Sequence, residues 1–83
     1  MPRSKKIKVV ERKLGLEKAI GQAFMGEGLI EIDPRQLPRQ YLSTLIHEAL
    51  HLAMPEASES KVERVSQLVA GVLWRQNYRK VKQ

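Results

Sequence analysis

The sequence contains no cysteine among its 83 residues. Disulfide bonds and thiolate metal ligands are therefore excluded, which leaves histidine and carboxylate side chains as the strong candidates for binding a metal ion. Aromatic residues are few, at 5% of the chain, and no helix-turn-helix or finger pattern of a nucleic-acid-binding protein stands out. No apolar run approaches the roughly 20 residues that a membrane-spanning helix needs.

The length and the even composition predict a single domain over residues 1–83. Apolar residues make up 42% of the chain, which is ordinary for a globular protein. The basic start is not followed by the apolar segment of a signal peptide. We therefore expect a soluble, cytoplasmic protein without a membrane partner.

The net charge of +6 comes largely from the two ends of the chain. Such an excess is typical of a footprint for nucleic acid or another acidic partner, but it is also typical of solubilising charge on chain ends. Both interpretations stay open. The cations concerned are Arg3, Lys5, Lys6 and Lys8 near the start, and Arg75, Arg79, Lys80 and Lys82 near the finish.

The first part of the chain has the pattern of a small sheet. Residues 7–11 are rich in β-branched side chains, residues 19–25 could form a second strand, and residues 29–33 alternate between apolar and acidic side chains. Alternation of period two predicts a strand with one buried face. We expect a small antiparallel sheet of two or three strands, in meander order, over residues 7–33.

From Pro38 onward the apolar residues recur at helical spacing. The first helix is predicted from Pro38 to about Met54 and is stopped by Pro55. Ser58 is suited to cap a second helix, which should continue to about Tyr78. The fold class predicted is therefore α+β, a small sheet followed by two helices.

The most informative stretch lies inside the first predicted helix. Residues 47–51 have the pattern H-E-x-x-H, which places His47 and His51 one turn apart on one helix face, where both can bind one metal ion. Glu48 would then stand beside the ion, where a carboxylate can take a proton from water. This spacing indicates the metal ligands and the general base of a zinc hydrolase.

The helical wheel predicts which side of this helix carries the candidate metal ligands and the candidate base. Its apolar stripe is centred on Leu42, Ala49 and Ala53, and we expect this stripe to cover the sheet. The polar side should face away from the sheet toward whatever packs across it. That side comprises Thr44, His47, Glu48 and His51.

A zinc hydrolase usually has three protein ligands, so two histidines are not enough. Carboxylates follow shortly at Glu56, Glu59 and Glu63, and the tight turn after Met54 makes the two helices neighbours. We favour Glu59 as the third ligand, with Glu63 accepting a hydrogen bond from a ligand imidazole. The reverse assignment stays open, and Glu56 is the third choice.

These residues carry a resemblance to a known group of proteins. The segments 29–33 and 45–51, together with Pro55, Ser58-Glu59 and Leu73-Trp74-Arg75, resemble the small zincin-type proteins common in bacteriophage genomes. Those proteins are similar in pattern to SprT-like and ImmA/IrrE-like metallopeptidases. The resemblance spans about residues 7–79, and only its H-E-x-x-H is highly specific.

The resemblance implies a minimal gluzincin core, in which a second helix supplies a glutamate ligand followed one turn later by an acidic residue. Glu59 and Glu63 match that spacing. It also implies that strand 29–33 pairs with an extended polypeptide substrate. The chain departs from larger gluzincins because its glutamate follows His51 so soon and because no walls of a peptide cleft are present. No oxyanion stabiliser is assigned, and the candidates are Tyr41, Tyr78 and Arg75.

The first hypothesis is therefore a zinc-dependent metallopeptidase in which His47, His51 and Glu59 bind Zn²⁺ and Glu48 is the general base. Two histidines and a glutamate suit zinc best, although cobalt, nickel and manganese also bind such ligands. The second hypothesis is a non-catalytic, metal-stabilised zincin-like binding module. The third is a basic DNA-associated protein in which the H-E-x-x-H pattern is incidental.

Overall fold

The computed structural model describes residues 6–15 and 20–81. Within these ranges the chain forms β1 (Lys8–Glu11), β2 (Gly21–Phe24), β3 (Leu29–Ile32), α1 (Pro38–Ala53) and α2 (Glu59–Arg75). The α+β class predicted from the sequence, a sheet followed by two helices, is confirmed. Ala19, the predicted start of the second strand, and the basic residues Arg3, Lys5 and Lys82 lie outside the described residues.

The sheet is mixed, and this corrects the prediction of an antiparallel meander. The strand order is β1-β3-β2; β2 is antiparallel to β3, as expected, but β1 is parallel to β3. The chain that leaves β1 passes Leu14, which is fully buried and donates its backbone N–H to Asp33 Oδ2 at 2.9 Å. This hydrogen bond places the chain after β1 at the end of β3, and the next described strand, β2, lies at the edge of the sheet opposite β1.

Both helices begin close to their predicted residues. Pro38 occupies the first turn of α1, where its missing N–H is not needed. Ser58 caps α2, and its Oγ accepts a hydrogen bond from the Lys61 N–H at 3.2 Å. These local signals therefore determine where each helix starts.

Helix α2 ends earlier than predicted, at Arg75 instead of near Tyr78. Asn77 has a φ of 68°, and the N–H of Tyr78 donates to the Leu73 carbonyl at 3.0 Å. A left-handed residue with this hydrogen bond is the Schellman ending of a helix. Asparagine adopts that conformation more readily than most residues, and its role as a stop signal was missed in the sequence.

Helix α1 contacts β2 and β3 on one side and α2 on another, so it is the central element of the fold. The fully buried apolar side chains come from the sheet, from the chain after β1 and from α2. They are Leu14, Ile30, Ile32, Val62 and Ala70. No helix in the described part of the chain is both long enough and apolar enough to span a membrane.

The orientation of α1 differs from the helical-wheel prediction. Thr44 is buried at 6% exposure, and the site of a Cβ on Gly21 would lie 2.6 Å from Thr44 Cγ2 and 3.3 Å from Glu48 Cγ. The polar side of α1 therefore packs against β2, whereas Ala53 of the predicted sheet-covering stripe is exposed. Glycine allows this because β2 presents bare backbone at the point of closest approach.

Candidate metal centre

The two helices run antiparallel and contact each other through polar pairs on successive turns. The Gln67 amide donates to Ser43 Oγ at 3.0 Å. One turn along α1, the nearest atoms of His47 and Glu63 are 3.1 Å apart. After one further turn, His51 Nε2 lies 3.2 Å from Glu59 Oε2. The predicted approach of α2 to the histidine pair is thus seen in the structure, and the connection between the two helices is short, spanning residues 54–58.

Three side chains converge at the end of this helix pair. The two Nε2 atoms of His47 and His51 lie 3.2 Å apart. Glu59 places Oε1 3.3 Å from His47 Nε2 and Oε2 3.2 Å from His51 Nε2. These three residues form a group able to hold a metal ion, and they are the ligands that the sequence favoured.

The spacing of these atoms fits a zinc ion. Ligand atoms about 2.0–2.1 Å from a tetrahedral zinc lie about 3.3 Å from one another. The two Nε2 atoms have close to this spacing, each lies within 3.3 Å of a different oxygen of Glu59, and one ligand atom from each of the three residues lies within 4.8 Å of the others. The histidine side chains are shielded, at 19% and 17% exposure, whereas the Glu59 side chain is 75% exposed. The donor set therefore fits zinc and leaves one side of the group open to solvent.

Glu63 occupies the place predicted for a residue that orients a ligand. Its Oε1 lies 3.1 Å from His47 Nδ1, on the side of the ring opposite Nε2. A carboxylate at Nδ1 favours the tautomer with a proton there, which leaves the Nε2 lone pair free for a metal. Glu56 instead lies in the turn between the helices, beside Pro55 and Lys61, and is not part of the converging group.

Glu48 lies at the junction of two cavities beside the histidines. One cavity, of about 380 Å³, lies between α1 and α2. The other, of about 320 Å³, lies between α1 and β2. Both are lined by His47 and Glu48. Burial raises the pKa of the Glu48 carboxyl, while the nearby His47 and His51 act in the opposite direction. A partly desolvated carboxylate of this kind is suited to accept a proton.

The strand that borders the site is β2, not β3, and this corrects the predicted substrate-binding strand. Residues 29–33 lie in the centre of the sheet, where β3 is paired with β1 on one side and with β2 on the other. Its backbone groups are already used in the sheet. Strand β2 is paired only with β3 among the described strands, and its Gly21, Gln22 and Ala23 line the cavity next to His51.

None of the three candidate oxyanion stabilisers lines either cavity. The Tyr41 hydroxyl donates to Glu11 at 2.7 Å. This hydrogen bond directs the Tyr41 side chain toward β1 and not toward the cavities beside Glu48. Tyr78 is exposed, and Arg75 lies over Gly71 near the other end of α2.

Glutamine and serine side chains line the cavities instead, and sequence reasoning missed them. A usable signal existed, because Gln40 precedes His47 by two helical turns and Gln67 follows Glu63 by one. The residues concerned are Gln22, Gln40, Ser43 and Gln67.

Two cations near the end of the chain are engaged within the fold. Arg79 lies 3.5 Å above the ring of Trp74, and Lys80 forms an ion pair with Glu11 of β1. They hold the segment after α2 against the body of the protein. The association of the basic chain ends with nucleic acid stays a prediction.

Comparisons with protein-family models, with curated proteins and with solved structures find no significant match to this chain. The function proposed below therefore depends on the geometry of the site.

Proposed function

We propose that this protein is a zinc-dependent metallopeptidase of the zincin type. The observation that carries the proposal is the convergence of His47, His51 and Glu59, whose ligand atoms lie within 4.8 Å of one another, with Glu48 lining both adjoining cavities. A structural histidine pair would not require a carboxylate from another helix at the same point. The H-E-x-x-H order further supports the assignment, because it puts the ligands and the base on one helix.

In this proposal His47, His51 and Glu59 hold Zn²⁺ and Glu63 orients the His47 ring. A bound zinc ion supplies Lewis acidity, which lowers the pKa of a water molecule and polarises a carbonyl group. Glu48 takes the proton of the attacking water and returns it to the amine that leaves.

We propose a polypeptide substrate because the site is an open groove beside a sheet edge. The backbone of β2 can pair with an extended peptide on the side away from β3. A peptide lying there would pass His51 and Glu48, with a cavity on each side of the base. The cytoplasm is the compartment that we propose, since the chain relies on no disulfide bond.

Metal content tests the ligand set. We expect about one zinc per chain by elemental analysis of the wild type, with the metal lost from His51→Ala and from Glu59→Ala. Glu56→Gln is the matched control, because this carboxylate lies outside the group and its removal should leave the zinc in place. Retention of zinc in Glu59→Ala would reject Glu59 as ligand, and absence of zinc from every form after supplementation would reject the proposal.

Cleavage of unfolded protein substrates tests the role of Glu48. We expect Glu48→Gln to keep its zinc and to lose at least about 100-fold in kcat, since general-base catalysis contributes roughly 10²–10⁴-fold. The Glu56→Gln control should keep the wild-type rate. Full activity in Glu48→Gln would contradict the mechanism.

A second candidate is a metal-stabilised binding module without catalysis. It is favoured by the cavity linings, which among the described residues include no lysine, arginine or tyrosine to stabilise an oxyanion. The edge of β2 would then bind a partner segment by strand addition. Zinc-loaded protein that binds extended peptides but cleaves none of a broad panel would establish this alternative.

A further inference from the structure

The hydrogen bonds of Gln67 fix the orientation of its amide group beside the cavity between α1 and α2. The Gln67 amide nitrogen lies 3.0 Å from Ser43 Oγ and 3.0 Å from Glu63 Oε2. A carboxylate only accepts hydrogen bonds, so the nitrogen of Gln67 must face Glu63. Both of its protons are then used, which leaves Oε1 as the free acceptor of a side chain that lines the cavity.

The charged side chains that line this cavity are all carboxylates, and the proposed zinc would lie at Nε2 of His47, on the opposite side of the imidazole ring from Glu63. Its lining includes the carboxylates of Glu48 and Glu63, and no lysine or arginine is among the lining residues that the structure describes. The other lining side chains are neutral, and Ile20 supplies an apolar surface for a hydrocarbon stem. A long side chain with a cationic head matches this lining, whereas an anionic side chain would meet two like charges.

We propose that this cavity is a specificity subsite for a lysine or arginine side chain of the substrate, on one side of the scissile bond. Gln67 Oε1 accepts a hydrogen bond from the cationic head, and Glu63 supplies the compensating charge. This inference rests on the proposed peptidase function and adds the class of substrate. The cavity on the other side of Glu48 is also lined by two carboxylates, Glu48 and Glu59, beside Ala23 and Met25. Glu59 is the proposed zinc ligand, so its charge would be compensated by the ion, and we assign selection for positive charge to the cavity between α1 and α2.

Three peptides that differ at one position test the preference. A peptide series is first cleaved by the zinc-loaded wild type to locate the scissile bond. The residue on the side of the subsite is then set to lysine, norleucine or glutamate. We expect kcat/KM for lysine to exceed that for norleucine by about tenfold, as for a hydrogen bond to a charged group, and the glutamate peptide to be cleaved most slowly. Equal rates for the three peptides would overturn the proposal.

Variants of Gln67 assign the preference to this cavity. Gln67→Met removes the acceptor and should reduce the lysine preference to near unity, while elemental analysis verifies that zinc is retained. Gln67→Lys places a cation in the cavity, one helical turn after Glu63, where the pair is also favourable to the helix. This second variant should invert the preference toward the glutamate peptide. The control is Gln76→Met, at an exposed position beyond the end of α2, which should keep the wild-type order.

A binding measurement separates this inference from the proposed catalysis. The zinc-loaded Glu48→Gln variant is titrated with the three peptides and followed by the backbone amide signals of Ser43 and Gln67. Tighter binding of the lysine peptide, with shifts at those two residues, would support the subsite even if the wild type cleaves nothing. Cleavage without a charge preference would overturn the subsite and leave the peptidase proposal intact.

Discussion

At the scale of single residues, Gly21 determines how closely Glu48, the proposed general base, approaches the sheet. It stands on β2 opposite Thr44 and Glu48 of α1, and its missing side chain creates the space in which these two side chains lie. Thr44 in turn donates a hydrogen bond to Gln36 at 2.7 Å, which holds the start of α1 near the end of β3. The position of Glu48 therefore depends on a residue that has no functional group.

Substitution of Gly21 by alanine should destabilise the protein by about 1–3 kcal/mol, as overpacking of a filled interior does. The new Cβ would lie 2.6 Å from Thr44 Cγ2, so α1 must shift, and we expect the proposed peptidase activity to fall as Glu48 moves. Urea unfolding measures the first effect. Gly26→Ala is the matched control, because nothing lies within 4 Å of a Cβ there and the free energy of unfolding should change by less than about 0.5 kcal/mol.

Asp33 is the buried carboxylate that joins the sheet to the loop before α1. The side chain of Arg35 holds its pKa well below the usual range, aided by backbone N–H groups of Leu14 and Arg35. Since the pKa is lower in the folded state than in the unfolded state, the stabilisation is complete above the unfolded value of about 3.9 and is lost as the pH falls below it.

We therefore expect the free energy of unfolding of the wild type to decrease as the pH is lowered from about 5 toward 2. Asp33→Asn should be less stable at neutral pH and should lose less on acidification. Glu27→Gln, which removes an exposed carboxylate in the turn before β3, should keep the wild-type slope. An unchanged slope in Asp33→Asn would show that other carboxylates cause the acid sensitivity.

At the scale of elements, the start of α2 determines where the proposed ligand Glu59 lies. Its cap at Ser58 is adjacent to Glu59, the proposed ligand, so the same turn starts the helix and presents the carboxylate. Buried residues on the same side of α2, such as Val62 and Ser66, pack toward α1, the element that α2 contacts. The Ser66 hydroxyl donates to the Glu63 carbonyl at 2.9 Å, so its burial leaves no hydrogen bond unmade.

Removal of the cap should therefore affect stability and metal binding together. We expect Ser58→Ala to lower the free energy of unfolding by about 1 kcal/mol and to weaken zinc affinity, because the first turn of α2 frays and Glu59 loses its fixed position. Ser58→Thr should retain most of the stability and most of the zinc affinity of the wild type. Denaturant unfolding of the zinc-free protein and competition with a zinc chelator measure the two effects separately, and unchanged affinity in Ser58→Ala would argue against Glu59 as ligand.

At the scale of the whole molecule, the chain is small, and among the residues that the structure describes only a few side chains are fully buried. A small domain of this kind gains a large share of its stability from any ligand that binds only the folded state. The proposed metal joins α1 to α2 at the end where a short turn connects them. Metal binding and stability should therefore be linked.

Zinc at 100 times its dissociation constant should stabilise the wild type by about 2.7 kcal/mol, which raises Tm by on the order of 10 °C in a domain of this size. Chelation should reverse the shift. Glu59→Gln should lose most of it, whereas Glu56→Gln should retain it. Calorimetry or circular dichroism during heating makes the measurement, and a Tm that zinc does not change would count against a site within the folded protein.

The sequence by itself determined those features that depend on neighbours along the chain. The two helices and their starts at Pro38 and Ser58 follow from local capping and turn chemistry. The pairing of His47 with His51 follows from the helical repeat. Even the choice of Glu59 over Glu56 was available, because a ligand one residue into α2 faces α1 whereas a residue in the connecting turn does not.

Only the tertiary structure decided what depends on distant segments. The parallel pairing of β1 with β3 and the hydrogen bond of Leu14 to Asp33 join segments that are distant in the sequence, and β2 is the strand whose residues line the cavity beside the histidines. The burial of Thr44 depends on a glycine 23 residues earlier in the chain. Strand order and helix orientation are set by which surfaces fit together, and a periodic pattern within one element carries no information about the shape of its partner.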